Sequence, residues 1–417
     1  MTTTETSSVS EPLALLGGSP TSSGLYPPAW PPVDEDTAEQ LKELYLSRNW
    51  SFNGPQEQAF SQEFAAAHDA KFGVFMANGT VTLQCALEAY GIGAGDEVIM
   101  PALTWPATAM AALYVGATPV FVDIEASTLC LDPQAFEAAI TPRTRVVIPV
   151  HLYGGMADMD AVLEIAKKHD LIVIEDCAHG QGGKWNGKGV GSWGHIGSFS
   201  FQQSKTMASG EGGICLTNDA NVADRLYRAK HIGYGNGAEQ GQASAAPPLG
   251  LMCHNFRGTD FQALILRAQL KNLDALMQTY NDNAAYLEKS LNAMAGVRTQ
   301  ARGRLSGPQS YYAFGIVFDE EPLSDIPLNV ISAAIAAEGL FINGTYGVVY
   351  NHILWNVAPE KYRLAEGGCP VSENIGAGRT LVLPHQWLGA QQDTLDAIIA
   401  VISKVSCNPE SLRNYTP

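Results

Sequence analysis

Between Gly73 and Asn218 the chain alternates short apolar runs with longer amphipathic stretches. The runs are GVFMAN (73–78), EVIMPA (97–102), TPVFVDI (118–124), RVVIPVHLYG (145–154), LIVIEDCA (171–178), IGSFSFQ (196–202) and GICLTN (213–218). Most are rich in Val, Ile and Phe and too short for a buried helix, so they predict strands. Helical spacing fills most of the gaps, at Val81 to Tyr90, Ala107 to Val115, Pro133 to Ile140 with Asp132 as N-cap, and Asp158 to His169. This alternation predicts an α/β unit on a mainly parallel sheet of seven strands, with ligand sites at the strands' carboxyl ends. A loop, not a helix, joins the last two runs, so the final strand is expected to be antiparallel.

Before this unit, Asp34 to Ser47 and Glu57 to Ala70 predict helices, the second with Phe60, Phe64 and Ala67 on one face. LALLGGSP and YPPAWPPV form an irregular arm, because proline excludes regular helix. After it, Gly, Ala, Ser, Gln and Pro between 233 and 255 predict a long mobile loop. One long helix follows from about Asp260 to Ala295. Then comes an α+β region with YYAFGIVF and RTLVLP as strands, and Leu328 to Glu338 and Thr394 to Val405 as helices. The expected organisation is a disordered tail over 1–15, an arm over 16–56, a large α/β domain over 57–285 and a small C-terminal α+β domain over 286–417.

Composition narrows the function. A net charge of −17 argues against holding nucleic acid or an anionic membrane through a general basic field. A local phosphate site on backbone amides stays possible. Seven scattered cysteines without a CxxC pair, and nine histidines without HExxH spacing, give no metal framework and fit reduced thiols in the cytoplasm. The polar start, MTTTETSSVSEP, lacks a signal peptide's basic and apolar segments.

The chemistry gathers at strand ends. Lys205 follows the sixth strand, beside the glycine-rich loop Ser209 to Gly213, where its amine can form a Schiff base with a carbonyl. Asn78-Gly79-Thr80 ends the first strand and opens a helix, an arrangement that suits a phosphate. Trp105 follows the second strand and can lie on a flat heteroaromatic ring. Asp176 ends the strand IVIED, where its carboxylate can hold a protonated ring nitrogen. His179 lies three residues on. Phosphate loop, stacking aromatic, strand-end Asp and a later Lys together make a pyridoxal 5'-phosphate site.

The segments ANGTVTLQCALEAYGIGAGDEVIMPALTWPATA, GATPVFVDIE, VIPVHLYGGMADMD, VIEDCAHGQGG, SFSFQQSKTMASGEGG and HNFRGTDFQALILRAQL resemble the DegT/StrS type of sugar aminotransferase. That is a branch of the fold-type-I, aspartate-aminotransferase-like enzymes that use pyridoxal phosphate. The resemblance implies that Lys205 carries the cofactor, Asp176 pairs with its ring nitrogen and Trp105 stacks on the ring. It also implies that Gly79, Thr80 and Ser200 hold the phosphate, and that Asn255 reaches the neighbouring subunit's cofactor in a homodimer. His179 stands where many members have glutamine, a variant of the cyclitol-type members. The segment NGTYGVVYNHILW departs from the family's proline-containing pattern, which leaves Tyr346, Tyr350 and His352 as candidate acceptor contacts.

The expected reaction moves an amino group from L-glutamine, or L-glutamate, to a keto-cyclitol or keto-sugar of aminocyclitol antibiotic metabolism. The QQSK segment and His179 resemble the cyclitol and aminohydroxybenzoate branch, and residues 344–355 contain no Lys or Arg for a diphosphate. Alternatives are a nucleotide-linked keto-sugar acceptor and an aromatising lyase of the aminohydroxybenzoate synthase type. A histidine-dependent dehydratase is disfavoured by Lys205. A non-catalytic protein on this fold is disfavoured by Lys205 and Asp176 together.

Overall fold

A computed structural model describes residues 11–239, 241–242 and 245–415. The first expected strands form as β1 (Phe72–Met76), β2 (Glu97–Pro101), β3 (Thr118–Val122), β4 (Thr144–Val147) and β5 (Ile172–Asp176). A two-residue hairpin, β6 (Lys184–Trp185) and β7 (Lys188–Gly189), precedes β8 (Ile196–Ser200) and β9 (Gly213–Thr217). The helices between them are α3 (Gly79–Ala89), α4 (Pro106–Tyr114), α5 (Pro133–Ala138) and α6 (Met159–Lys168), preceded by α1 (Glu35–Ser47) and α2 (Pro55–Ala67). The Asp132 side chain caps α5 by accepting from the Gln134 amide.

The large sheet runs β1-β9-β8-β5-β4-β2-β3-β13, where β13 is Arg363–Leu364. It therefore has eight strands where seven apolar runs were expected. The eighth comes from the C-terminal part of the chain and pairs only two residues with β3, too few to make an apolar run. As expected, β9 is antiparallel to its neighbours, β1 and β8. Alternate residues feed opposite layers, because a strand's side chains alternate across the sheet. Val98 and Met100 join one core and Ile99 the other, as do Ile174 and Val173.

Several expectations about helices are corrected. Phe60 and Phe64 of α2 are buried, but Ala67 is exposed and His68 completes the stripe, as i, i+4 spacing requires. The long helix after 260 is two, α8 (Asp260–Leu270) and α9 (Leu273–Leu291), broken at Lys271-Asn272. An unforeseen helix, α7 (Ala220–Lys230), is capped by Asp219.

The C-terminal part builds a second sheet, ordered β10 (Arg298–Thr299), β11 (Ala313–Val317), β14 (Thr380–Pro384) and β12 (Asn343–Gly344), antiparallel throughout. It carries α10 (Leu328–Ala337), α11 (Gln392–Ser406) and α12 (Pro409–Arg413). Helix α9 crosses the boundary expected at 285–286. Residues 1–10 of the expected tail lie outside the described residues. Residues 11–15 pack against the fold, with Leu13 fully buried and the Ala14 amide bonded to Glu338 at 2.7 Å. The expected loop over 233–255 has no helix or strand among its described residues.

Candidate active site

The carboxyl ends of β5 and β8 bring Asp176 and Lys205 together. Asp176 is the last residue of β5 and is buried. Its Oδ2 accepts from the Thr108 hydroxyl at 2.8 Å and its Oδ1 from the Ala178 amide at 3.1 Å. Burial pushes its pKa up, against the pull of those two donors and of the Lys205 charge. Thr108 stands on the first turn of α4, whose N-cap is Trp105. One turn of helix thus places the Thr108 hydroxyl on the strand-end carboxylate, with Trp105 at the head of the same turn.

Glu175, the residue before Asp176, anchors this corner. Its carboxylate accepts from the amides of Gly191, Trp193 and Gly194 at 2.8, 2.9 and 2.7 Å, and from His151 Nε2 at 3.1 Å. His151 Nδ1 accepts the Ala157 amide, which puts the ring proton on Nε2. Among the described residues, His151, Glu175 and Cys177 are the group whose ligand atoms could converge on a metal. The carboxylate is instead filled by its four donors, as a buried charge requires.

Lys205 sits in the turn after β8, with its amide bonded to the Gln202 carbonyl at 2.8 Å. Burial lowers its pKa, while Tyr312 and Asp176 raise it. The lowered pKa enlarges the share of neutral amine, the form that attacks carbonyls. Its Nζ lies 4.3 Å from the centre of the Tyr312 ring. Tyr312 also stacks on His179, at 4.0 Å and 6°, and its hydroxyl meets the Ser204 hydroxyl at 3.1 Å. His179 Nδ1 accepts the Tyr153 amide, so Nε2 carries the proton and faces the Tyr346 hydroxyl at 3.3 Å. Burial, then the Lys205 charge, hold His179 well below its ordinary pKa and neutral.

Gly79, Thr80 and Ser200 also converge. Asn78 caps α3 by accepting the Thr80 and Val81 amides. A Cβ on Gly79 would come within 2.6 Å of Ser200 Cβ, and one on Gly213 within 2.5 Å of the Asn78 carbonyl. Glycine at both positions therefore lets the end of β8 close onto the N-terminus of α3. The small cradle that results lies between Ser200 at the end of β8 and the positive N-terminal end of α3, where Thr80 stands.

The remaining expected residues divide. The half-exposed Trp105 ring lies 5.2 Å from Tyr346 and 5.4 Å from His352, so those two join the site. Tyr350 does not, because its hydroxyl donates to Glu373 at 2.8 Å and its ring packs on Phe121. Asn255 is exposed, in a backbone bridge with His231, and does not join the Lys205 group of its own chain. Thr108, Tyr153, Tyr312 and Trp30 were missed by sequence reasoning. Trp30, in the proline-rich arm, donates its Nε1–H to the Lys205 carbonyl at 3.1 Å. Its aromatic identity within YPPAWPPV was the available signal.

The donor set fits pyridoxal phosphate. It comprises a buried carboxylate for the ring nitrogen, an indole, an amine of lowered pKa and a glycine-lined cradle at a helix N-terminus. Comparison with known proteins agrees. The family described as the DegT/DnrJ/EryC1/StrS aminotransferase family matches residues 31–403. An L-glutamine:2-deoxy-scyllo-inosose aminotransferase of Micromonospora echinospora is 36% identical, over 96% of this chain and 99% of that protein. Among solved structures, 3-amino-5-hydroxybenzoic acid synthase superposes with a TM-score of 0.82 at 29% identity, covering 92% of this chain and 99% of that one. DesI, solved in the presence of its TDP-sugar product, gives 0.81 at 26% identity, covering 96% of this chain and 98% of that one.

Proposed function

The chain belongs to the DegT/DnrJ/EryC1/StrS aminotransferase family, and from that premise we propose that it uses pyridoxal 5'-phosphate to move an amino group from L-glutamine to a keto-cyclitol. The observation that carries the choice of donor and acceptor is the 36% identity, across nearly the whole of both chains, to a relative named for that reaction. The absence of Lys and Arg from residues 344–355 supports it, since a neutral polyol needs no cationic partner.

When bound, the cofactor supplies an electron-withdrawing ring that stabilises negative charge on the carbon bearing the amino group. Each residue then has a task. Lys205 would hold the cofactor's carbonyl carbon. Its amine would also take the proton from the donor's α-carbon and carry it to the neighbouring reacting atom, as the chemistry of amino transfer requires. With the acceptor in place it carries a proton the opposite way. Asp176, fixed by Thr108 and the Ala178 amide, keeps the ring nitrogen protonated. Gly79, Thr80 and Ser200 bind the phosphate, and Trp105 covers the ring. His179, neutral and stacked on Tyr312, would hold the ring's oxygen substituent. Tyr346 would face the acceptor, with His352 against Trp105.

We further propose a homodimer in which Asn255 completes the partner's phosphate site, supported by its exposure at the end of the 233–255 loop. No helix among the described residues is long and apolar enough to cross a membrane. The seven unpaired cysteines support a reducing, cytoplasmic setting.

The test is borohydride reduction of the purified enzyme followed by peptide mass mapping. The cofactor's mass should appear on the peptide holding Lys205 and vanish in Lys205→Ala. A cofactor mass on another lysine would sink the assignment.

A further inference from the structure

A cavity of about 860 Å³ lies between the N-terminal arm, the small sheet and the tyrosines beside Lys205. Its size is that of a small-molecule site. Its walls are largely aromatic, with Tyr26 and Trp30 from the arm, Phe341 and Trp387 from the C-terminal part, and Tyr312 and Tyr346 between. The lining residues include no Asp, Glu, Lys or Arg. His385 adds no charge, because burial and the Lys205 charge hold its pKa at about 4 despite its bond to the Ser204 carbonyl. Both its ring nitrogens are engaged, Nδ1 with the Tyr280 hydroxyl and Nε2 with that carbonyl.

Two carboxamides, Asn343 and Gln386, also line the cavity. Neither has a protein hydrogen-bond partner among the described residues. A carboxamide both donates and accepts, which matches a hydroxyl and gives a phosphate no charge to pair with. The cavity adjoins the reacting lysine, since Tyr312 lines it and lies 4.3 Å from Lys205 Nζ. The arm that roofs it is tied to the same residue, through Trp30 and the Lys205 carbonyl, and Trp30 rests edge-on against His385 at 4.6 Å.

We propose that this cavity binds the acceptor, and that its aromatic walls and the Asn343 and Gln386 carboxamides select an uncharged, polyhydroxylated ring. This rests on the keto-cyclitol reading above and adds where, and by which residues, the polyol is recognised.

Gly344 offers the sharpest probe. It lines the cavity, its φ is not in the left-handed region, and a Cβ there would meet nothing within 4 Å. Gly344→Phe therefore adds a bulky ring at the cavity's edge without forcing the backbone. The experiment is calorimetric titration of scyllo-inositol, a polyol with no ketone to react, into wild-type holoenzyme, Gly344→Phe and Gln386→Ala, with each variant's melting curve recorded. The wild type should bind it, and both variants, melting as the wild type does, should bind about tenfold more weakly or worse. Native melting with unchanged affinity in both variants overturns the cavity assignment and leaves the keto-cyclitol reading standing. A wild type that ignores scyllo-inositol but binds a nucleotide-diphosphate sugar overturns that reading, and the cavity proposal with it. A wild type that binds neither overturns the cavity proposal alone.

Discussion

The amine nitrogen of Lys205 lies over the ring of Tyr312, 4.3 Å from its centre. This contact joins Lys205 to the residue just before β11 of the second sheet, more than a hundred residues away. An aromatic face attracts a cation and so favours the ammonium form, against the burial that disfavours it. Asp176 acts in the same direction as Tyr312, while the neutral rings of His179 and His385 add no opposing charge. Tyr312→Leu should therefore lower the Lys205 pKa further, whereas Tyr312→Phe, which keeps the ring, should come closer to the wild type. The measurement is the pH dependence of amine labelling at Lys205 in the cofactor-free protein, followed by mass spectrometry. An identical pH profile in the leucine variant would show that the contact has no bearing on the lysine.

Asp176 and its partner Thr108 give a graded pair. Asp176→Asn leaves a neutral partner for the ring nitrogen, and we expect kcat to fall roughly a hundredfold, equivalent to about 2–4 kcal/mol. Thr108→Val removes one donor from the buried carboxylate and should lower kcat/KM by about tenfold. Steady-state kinetics on both variants checks the order. Equal losses would contradict a role for Thr108 that acts through Asp176.

The structure also predicts how stability depends on pH. His68 is fully buried, its Nδ1 bonded to the Phe64 carbonyl and its Nε2 accepting the Gly182 amide. That arrangement has room for one proton only, and burial lowers the pKa from 6.5 to about 4. Below pH 6.5 the unfolded chain takes up a proton that the folded chain refuses until about pH 4. Stability is therefore full above pH 6.5 and lost as pH falls through that window. The His68 contribution between pH 7 and pH 5 is about 2 kcal/mol. Asp176 and Asp260, whose pKa values are raised by burial, act in the opposite sense, so the comparison must be between variants. Denaturant unfolding of wild type and His68→Gln at the two pH values should show the wild type losing that much more. Parallel losses would contradict it.

The composite dimer makes a sharper claim than mass alone. Mixing inactive Lys205→Ala with an Asn255→Ala variant should form hybrid dimers in which one site regains both wild-type residues. Random exchange then restores about a quarter of wild-type activity, because half the dimers are hybrids with one good site each. Activity that never exceeds the sum of the separate variants would place Asn255 outside the partner's site.

Much of this was legible in the chain because it is local. Seven of the eight strands of the large sheet are largely buried and stand out as apolar runs. Asp176 ends one of those strands, Lys205, Thr80 and Trp105 follow others by a few residues, and all four inherit their position from them. Helix α7 was missed although Asp219 caps it and Val222 and Leu226 are spaced one turn apart, because its other positions are mostly polar. The break between α8 and α9 is carried by Lys271 and Asn272, with no glycine or proline to mark it. The strand Arg363–Leu364 is too short to form a pattern. Tyr312, Tyr153 and Trp30 were hidden for a different reason. Tyr312 and Trp30 reach Lys205, and Tyr153 reaches His179, from distant segments through tertiary contacts, and of the three only the tryptophan in YPPAWPPV carried a local signal.

The central claim is the transfer of glutamine's α-amino group to a neutral keto-cyclitol. The most direct measurement is mass spectrometry of products after incubation with L-glutamine labelled with ¹⁵N at the α-position. The ketones offered are 2-deoxy-scyllo-inosose, scyllo-inosose and a panel of nucleotide-linked keto-sugars. The account predicts labelled amine on an inosose and none on a nucleotide-linked sugar. Label on a nucleotide-linked sugar alone, or loss of water from a substrate with no label gained by any ketone, would contradict it.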